Sequence, residues 1–321
     1  MDTVSAQTGT RAPRILSYGG GLDSFAVLLK AIALGELPDV AVFCDVGDGA
    51  ADRDGTDPGE WPSTYRHIRE VVLPLCAAHG IEFVWLTSEM YPVRDARSLF
   101  AWFQARGQIP TASGRTCTIH AKVERFERWA ADRFGVGAAI EVWVGFEAGE
   151  EDRAAKDPNA GGESRKGGVV RRNRFPLIEW GMCRCRCEAF VREAGYPVPR
   201  KSACTFCPFG SKGDWQTLAR ELPATFATIA KLEADKPLTG PGKKLSIMGF
   251  RTFKNGAPKR TKLTILRDHA GVAYSAPPVT EFVKGDYKPE GEPCAVCGAA
   301  QRATKATGCS YLSDPAEAAA E

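Results

Sequence analysis

The sequence predicts an α/β protein built on a mainly parallel sheet with helices on both faces. Three observations lead there. Apolar runs such as Val40-Ala41-Val42-Phe43-Cys44 recur between stretches of helical periodicity. These runs are continuous rather than alternating, as strands covered on both faces require. The first ends in a glycine loop, Ser17-Tyr18-Gly19-Gly20-Gly21-Leu22-Asp23-Ser24, that runs straight into an apolar helix.

In chain order, Ile15-Leu16 closes the first strand and Phe25–Leu34 reads as the first helix. Val40–Cys44 is the second strand, closed by Asp45-Val46-Gly47, and Asp48–Gly59 is a Gly/Asp-rich loop. A helix from Thr64 buries Ile68, Val71, Val72 and Leu75, with Pro74 expected to kink it. Ile81–Leu86 is the third strand, and Arg97–Arg115 reads as mixed structure. Thr116–Phe134 holds a helix and Ile140–Gly145 a fourth strand. Glu147–Arg174 is charged and glycine-rich without apolar period, which predicts a long mobile loop or lid. Past Leu238 the texture is of short strands and turns. The expected organisation is a disordered tail over 1–13, a nucleotide-binding domain over 14–180 and a Cys-rich, metal-binding region over 181–321.

The 321 residues are 44% hydrophobic and 25% charged, as in a soluble globular protein. Met1–Arg14 has no apolar segment of a secretion signal and no uncharged run would span a bilayer, so a cytoplasmic protein is expected. A net charge of +3 is too small to imply nucleic-acid binding by itself.

Strand, glycine loop, helix start is a geometry that binds phosphate. Glycines let the backbone bring N–H groups close to an anion, and the free N–H groups of a helix's first turn add partial positive charge. Asp23 or Ser24 is expected to cap the helix. The loop lacks the Gly-Lys-Ser/Thr ending of a Walker A loop and the spaced glycines of a dinucleotide fingerprint. Asp45, at the carboxyl end of a parallel strand, is expected to face the ligand.

Eleven cysteines in a cytoplasmic setting speak for metal or redox pairs rather than disulfides. Cys204-x-x-Cys207 and Cys294-x-x-Cys297 have the spacing of a four-thiolate site, suited to Zn²⁺ or a [4Fe–4S] cluster. Cys309 with Cys294 and Cys297 is an alternative zinc set, and Cys183-x-Cys185-x-Cys187 alternates too tightly for one helix face. Cys44 and Cys76 read as core residues. Of four histidines, His120 alone stands near chemistry, between Cys117 and Lys122. Arg171-Arg172-Asn173-Arg174 and the run Lys254, Lys259, Arg260, Lys262 are candidate polynucleotide contacts.

The glycine loop, Gly-Gly-x-Asp-Ser after a strand, resembles the PP-loop of the ATP-pyrophosphatase and phosphoadenylyl-sulfate (PAPS) reductase superfamily. Gly19 stands where the usual pattern has its first Ser, and Ser17 is the nearby hydroxyl. Further stretches match in order: Asp45-Val46-Gly47, Glu60-Trp61-Pro62-Ser63-Thr64-Tyr65, Cys117 with Lys122, Gly145–Arg153, Pro176–Trp180 and Cys204–Pro208. The resemblance covers about residues 14–215. Two departures stand out. Glu147 replaces the arginine that helps the reductases hold an anionic sulfonucleotide, and their C-terminal Glu-Cys-Gly-Leu-His motif is absent, Gly308-Cys309-Ser310-Tyr311 being the nearest stretch.

The resemblance implies an adenine nucleotide alpha-hydrolase-like fold and an enzyme that binds ATP with Mg²⁺ and cleaves the α–β bond to AMP and pyrophosphate. The activation would serve sulfur transfer or modification of a nucleotide or nucleic acid. It implies nucleotide contacts from Ser17, Gly19, Gly20, Gly21, Asp23, Ser24, Asp45, Gly145 and Glu150, and catalytic roles for Asp23, Asp45, Lys122 and Arg153. It also implies an alternative cluster of Cys117, Cys204 and Cys207 with one of Cys183, Cys185 or Cys187. Two other readings stay open: a PAPS or adenylyl-sulfate reductase, and a non-catalytic nucleotide-binding subunit. A nucleic acid or a sulfur-donor protein is the expected partner, a membrane is not, and a homo-oligomer is left open.

Overall fold

The computed structural model describes residues 11–47, 57–110, 116–157, 159, 168–235, 247, 251–254, 257–260 and 280. Its centre is a five-stranded, fully parallel sheet of β1 (Arg14–Ser17), β2 (Val40–Cys44), β3 (Glu82–Leu86), β4 (Ala139–Val144) and β5 (Val170–Arg174). The order is β3-β2-β1-β4-β5, with Ile15 in register with both Val40 and Val142. The chain thus winds outward to one side of β1 and then returns to the other. That reversal leaves a crevice at the carboxyl ends of β1 and β4, where open α/β sheets bind ligands.

Strand periodicity divides the core. Leu16, Ala41, Phe43 and Trp143 face one layer, where α1 (Leu22–Leu34) and the helix Arg184–Glu193 pack. Ile15, Val40, Val42 and Val142 face the other, against Phe126 and Trp129 of the helical stretch 116–134. Helices on both faces are therefore observed as the sequence predicts. A third apolar cluster joins Leu99, Phe100 and Phe103 of the helix Leu99–Ala105 to Phe206, Trp215, Leu218 and Ile229. Ser98 caps that helix by accepting from the Ala101 N–H at 2.9 Å; of the stretch Arg97–Arg115 expected to be mixed, residues 111–115 lie outside the described residues.

Three expectations change. The predicted loop Glu147–Arg174 contains a helical turn, Glu151–Ala154, and the fifth strand. Val-Arg-Arg-Asn-Arg shows no apolar run because β5 is an edge strand whose arginines lie over aromatic rings: Arg171 over Phe126 at 5.2 Å and Arg174 over Trp143 at 5.2 Å. The kink expected at Pro74 takes the form of a π turn, Ile68–Val72, within the helical stretch 62–78. Pro74 has no N–H to give, and the wider register just before it absorbs the missing bond. Cys185 and Cys187 are both buried on one helix, Arg184–Glu193. Among the described residues no helix is long and apolar enough to cross a membrane.

His67, on the stretch 62–78, is 8% exposed and stands edge-on to Phe25 with centroids 4.6 Å apart. Burial lowers its pKa to about 4. Below about pH 6.5 the unfolded chain takes a proton there that the folded chain refuses, so stability falls as pH drops from 6.5 toward 4. The expected loss is about 3 kcal/mol. Urea unfolding across that range should show it, and His67→Phe should flatten the slope.

Candidate active site

The crevice holds a cleft of about 560 Å³, within the range of small-molecule sites. One wall is the glycine loop with Ser17, Gly19, Gly21, Asp23 and Ser24; another is the end of β4 with Gly145, Phe146, Glu147 and Glu150. Facing them is the segment 200–210 with Arg200, Lys201, Ser202, Cys204 and Cys207. Lys122, Glu60 and Cys117 complete it.

The loop is locked from within and from across the cleft. Gly20 has φ +78°, and an added Cβ would stand 2.6 Å from Thr64 Cγ2. Ser24 does not cap the helix as expected. Its Oγ accepts from the Gly19 N–H and donates to the Gly21 carbonyl, each at 3.1 Å, while Gly21 itself occupies the cap position. No side chain caps α1, so its first-turn N–H groups are available to an anion. Ser202, 183 residues on, donates its hydroxyl to the Gly19 carbonyl. A Cβ on Gly21 would lie 2.8 Å from the Ser202 nitrogen, and one on Gly145 would lie 3.1 Å from the Asp23 carbonyl carbon.

Asp23 lines the cleft beside Arg184, 3.5 Å away; burial pushes its carboxyl up against the pull of that guanidinium. Arg153 bonds Glu150 at 2.7 Å and lies 4.0 Å over the Phe146 ring, which stacks on Phe175. Arg200 pairs with Asp214 at 2.7 Å and covers Trp61 at 3.4 Å.

Asp45 is placed otherwise than expected. It is fully buried and lies outside the cleft lining. Oδ1 accepts from Tyr65 Oη at 2.6 Å and the Gly47 N–H at 2.8 Å; Oδ2 accepts from Trp85 Nε1 at 3.1 Å. The Arg125 guanidinium, also buried, donates to the carbonyls of Asp45, Ala121 (3.2 Å) and Leu86 (2.7 Å). Asp45 thus ties the ends of β2 and β3 together, with no oxygen left to turn toward a ligand.

Lys122 sits on a π turn, Ile119–Val123, and bonds Glu60 Oε1 at 3.2 Å. Burial works to lower the Lys122 pKa, but Glu60 together with Cys204 and Cys44 holds the ammonium above its ordinary value. Glu60 is 1% exposed, burial pushes its carboxyl up, and its Oε2 has no hydrogen-bond partner among the described residues.

The Cys204-x-x-Cys207 turn is closed by the Cys207 N–H donating to the Cys204 carbonyl at 3.1 Å, and Phe206 anchors it in the apolar cluster. The side-chain bond with Cys207, and then burial, hold the Cys204 thiol well above its ordinary pKa; burial raises Cys117. Three thiols therefore face one cleft. They do not make a cage: among the described residues no group of three or more His, Cys, Asp or Glu side chains is gathered to hold a metal ion. A closed tetrahedral site needs four ligands. Cys183, Cys185 and Cys187 are buried away from the cleft lining, and Cys294, Cys297 and Cys309 lie outside the described residues.

His120 belongs to a surface group with Arg94 and Glu124, not to the cleft. Of the basic run on β5, Arg171 pairs with Glu127 and Arg174 with Glu179 and Glu36, while Arg172 is exposed. Lys254, Lys259 and Arg260 lie on a small antiparallel hairpin, Arg251–Lys254 and Ala257–Arg260, and Lys262 falls outside the described residues. Sequence reasoning gave no role to Glu60, Arg184, Arg200, Lys201 or Ser202. The clustering of Arg200-Lys201-Ser202 just before the cysteine pair was the available signal.

No family model matches the chain, and no curated protein does. Among solved structures, the chain is similar to the U34-tRNA thiolase NcsA from Methanococcus maripaludis with its [4Fe-4S] cluster, at 12% identity and a TM-score of 0.38. The match covers 70% of this chain and 72% of that one. A likeness this loose carries no argument about chemistry.

Asp45→Ala leaves Tyr65 Oη, Trp85 Nε1 and the Gly47 N–H without their acceptor. The expected cost is about 4 kcal/mol, read as a fall in the urea midpoint, and Asp45→Asn should lose about half of that.

Proposed function

We propose that the chain binds ATP in this cleft and cleaves it between the α- and β-phosphates, using the activation for sulfur transfer or for modification of a nucleotide or nucleic acid. One observation carries the reading. A glycine loop and an uncapped helix start, at the reversal point of a parallel sheet, open into the same cleft as three thiols.

The triphosphate lies along Gly19–Gly21 and the first turn of α1, with Arg153, Arg184 and Lys201 as the neighbouring cations. An acceptor oxygen attacks the α-phosphorus, the bond to the bridging oxygen breaks, and pyrophosphate leaves with the electron pair. The demand on the protein is to neutralise charge growing on that leaving group, which fixed N–H dipoles and guanidinium groups meet. Mg²⁺, when bound, would add Lewis-acid neutralisation of the phosphates, and Asp23, on the cleft wall, would hold it. Asp45 has no part in this, and Lys122, committed to Glu60, serves the acceptor end.

The thiols Cys117, Cys204 and Cys207 fit the sulfur half of the reaction. They also favour the second reading, a sulfonucleotide reductase. Glu147 on the cleft wall, standing where the resembled reductases have the arginine that helps hold their sulfonucleotide, weighs against it.

Pyrophosphate release from ATP tests the reading. Asp23→Asn and Arg153→Met should each lower the rate by about tenfold or more. Sulfite release from a sulfonucleotide, with no pyrophosphate from ATP under any acceptor, would instead make the chain a reductase. ATP binding no tighter than AMP would remove the phosphate role of the loop altogether.

A further inference from the structure

We propose that the outer edge of β3 is the interface through which two copies of this chain associate, joining their sheets across a two-fold axis at Val84. The two edges of the sheet are treated differently. β5 carries Arg171, Arg172 and Arg174, and its outer side is occupied, since the Asn173 N–H donates to the Asn159 carbonyl at 2.9 Å. β3 carries no charge after Glu82, and among the described residues its one sheet neighbour is β2. Edge strands that stay single are normally guarded by charges, proline or a bulge. Here the edge presents Phe83, Val84 and Trp85, all half-buried.

The backbone of β3 fixes how a partner strand sits. The Glu82 N–H donates to the Asp39 carbonyl and the Leu86 carbonyl accepts from the Asp45 N–H, so Glu82, Val84 and Leu86 turn their peptide groups toward β2. Phe83 and Trp85, alternating with them, turn theirs outward. Outward residues on either side of one central residue are self-complementary. Laid antiparallel about Val84, the Phe83 N–H and carbonyl of one copy meet the Trp85 carbonyl and N–H of the other, and the reverse.

The flanking layers obey the same axis, which selects a second copy over an unrelated strand. The helix Glu124–Phe134 runs antiparallel to β3: Arg125 donates to the Leu86 carbonyl at 2.7 Å and Arg133 to Glu82 at 2.9 Å. Val84 is therefore level with the middle of that helix, where Arg128 and Asp132 stand exposed one turn apart. Both border Tyr91, which packs on the Val84 face of the sheet: Arg128 lies over its ring at 5.8 Å and Asp132 accepts from its Oη at 2.9 Å. The axis sets Arg128 of each copy against the partner's Asp132, so opposite charges meet on both sides of it. On the other layer Arg69 stands over the Trp85 ring at 5.5 Å, and Leu73, next on that helix face and 37% exposed, comes up against its own mate.

Analytical ultracentrifugation of the full chain, with amide exchange alongside, tests the interface. The chain should sediment as a dimer, at twice its 34.7 kDa. Arg128→Asp sets carboxylates against carboxylates across the axis, and Asp132→Arg sets guanidinium groups against guanidinium groups. Each should weaken self-association by about tenfold or more. An equimolar mixture of the two variants pairs carboxylates with guanidinium groups and should dimerise again, which variants that had merely lost their fold could not do. In the unaltered chain the Phe83 and Trp85 amides should exchange more slowly as concentration rises, with those of β5 unchanged. A monomer at every concentration, a dimer that both variants leave intact, or a mixture of variants that stays monomeric overturns the interface. Exchange at Phe83 and Trp85 that ignores concentration overturns it too. None of these outcomes bears on the nucleotide reading, which the interface does not draw on.

Discussion

The site depends on backbone passing against backbone at the start of α1, where a methyl group would not fit. The turn after β4 runs beside Asp23 at Gly145, and the segment before the cysteine turn runs beside Gly21 at Ser202. These two contacts bring β4 and residues 200–210 onto the phosphate loop, and through them the arginines and thiols that the loop lacks. The hydroxyl of Ser202 fastens the second contact by donating to the Gly19 carbonyl. The loop is held open by its neighbours rather than filled by them, since Gly19 and Gly21 still line the cleft.

Two buried carboxylates stand close to one another in this frame and behave differently. Asp45 meets three donors and its own carbonyl is covered by Arg125, so it is fully satisfied and fixes the β2 and β3 ends. Glu60 meets one donor on one oxygen. Low local dielectric magnifies both situations: a complete network rigidifies, and an incomplete one leaves a strong acceptor for whatever enters. The two carboxylates therefore differ in the donors around them, three for Asp45 and one for Glu60.

The fold was legible wherever strands are buried on both faces. Val40–Cys44 and Ala139–Val144 announce themselves as apolar runs because helices cover them above and below. β5 was not legible, because an edge strand can carry arginines that stand over aromatic rings. The glycine loop was legible because its spacing is local. Arg184 and Ser202 were not, since each meets the loop from more than 160 residues away. The placement of Asp45 was not legible for a related reason: sequence shows that a carboxylate follows a strand but not that Tyr65 and Trp85 donate to it.

The cleft's charges give it a direction. Four of its cations are held by carboxylates: Arg153 by Glu150, Arg184 by Asp23, Arg200 by Asp214 and Lys122 by Glu60. An anionic ligand that draws on one of these four must take it from an existing partner, and the cost depends on what is left behind. Arg153 and Glu150 are 49% and 29% exposed, so the carboxylate released by an incoming phosphate is rehydrated and little is lost. Taking Lys122 from Glu60 by an anion would strand a carboxylate that is 1% exposed, an expensive arrangement. The pairs thus differ in what can be taken from them: Arg153 leaves Glu150 at little cost, and Lys122 leaves Glu60 only at a large one.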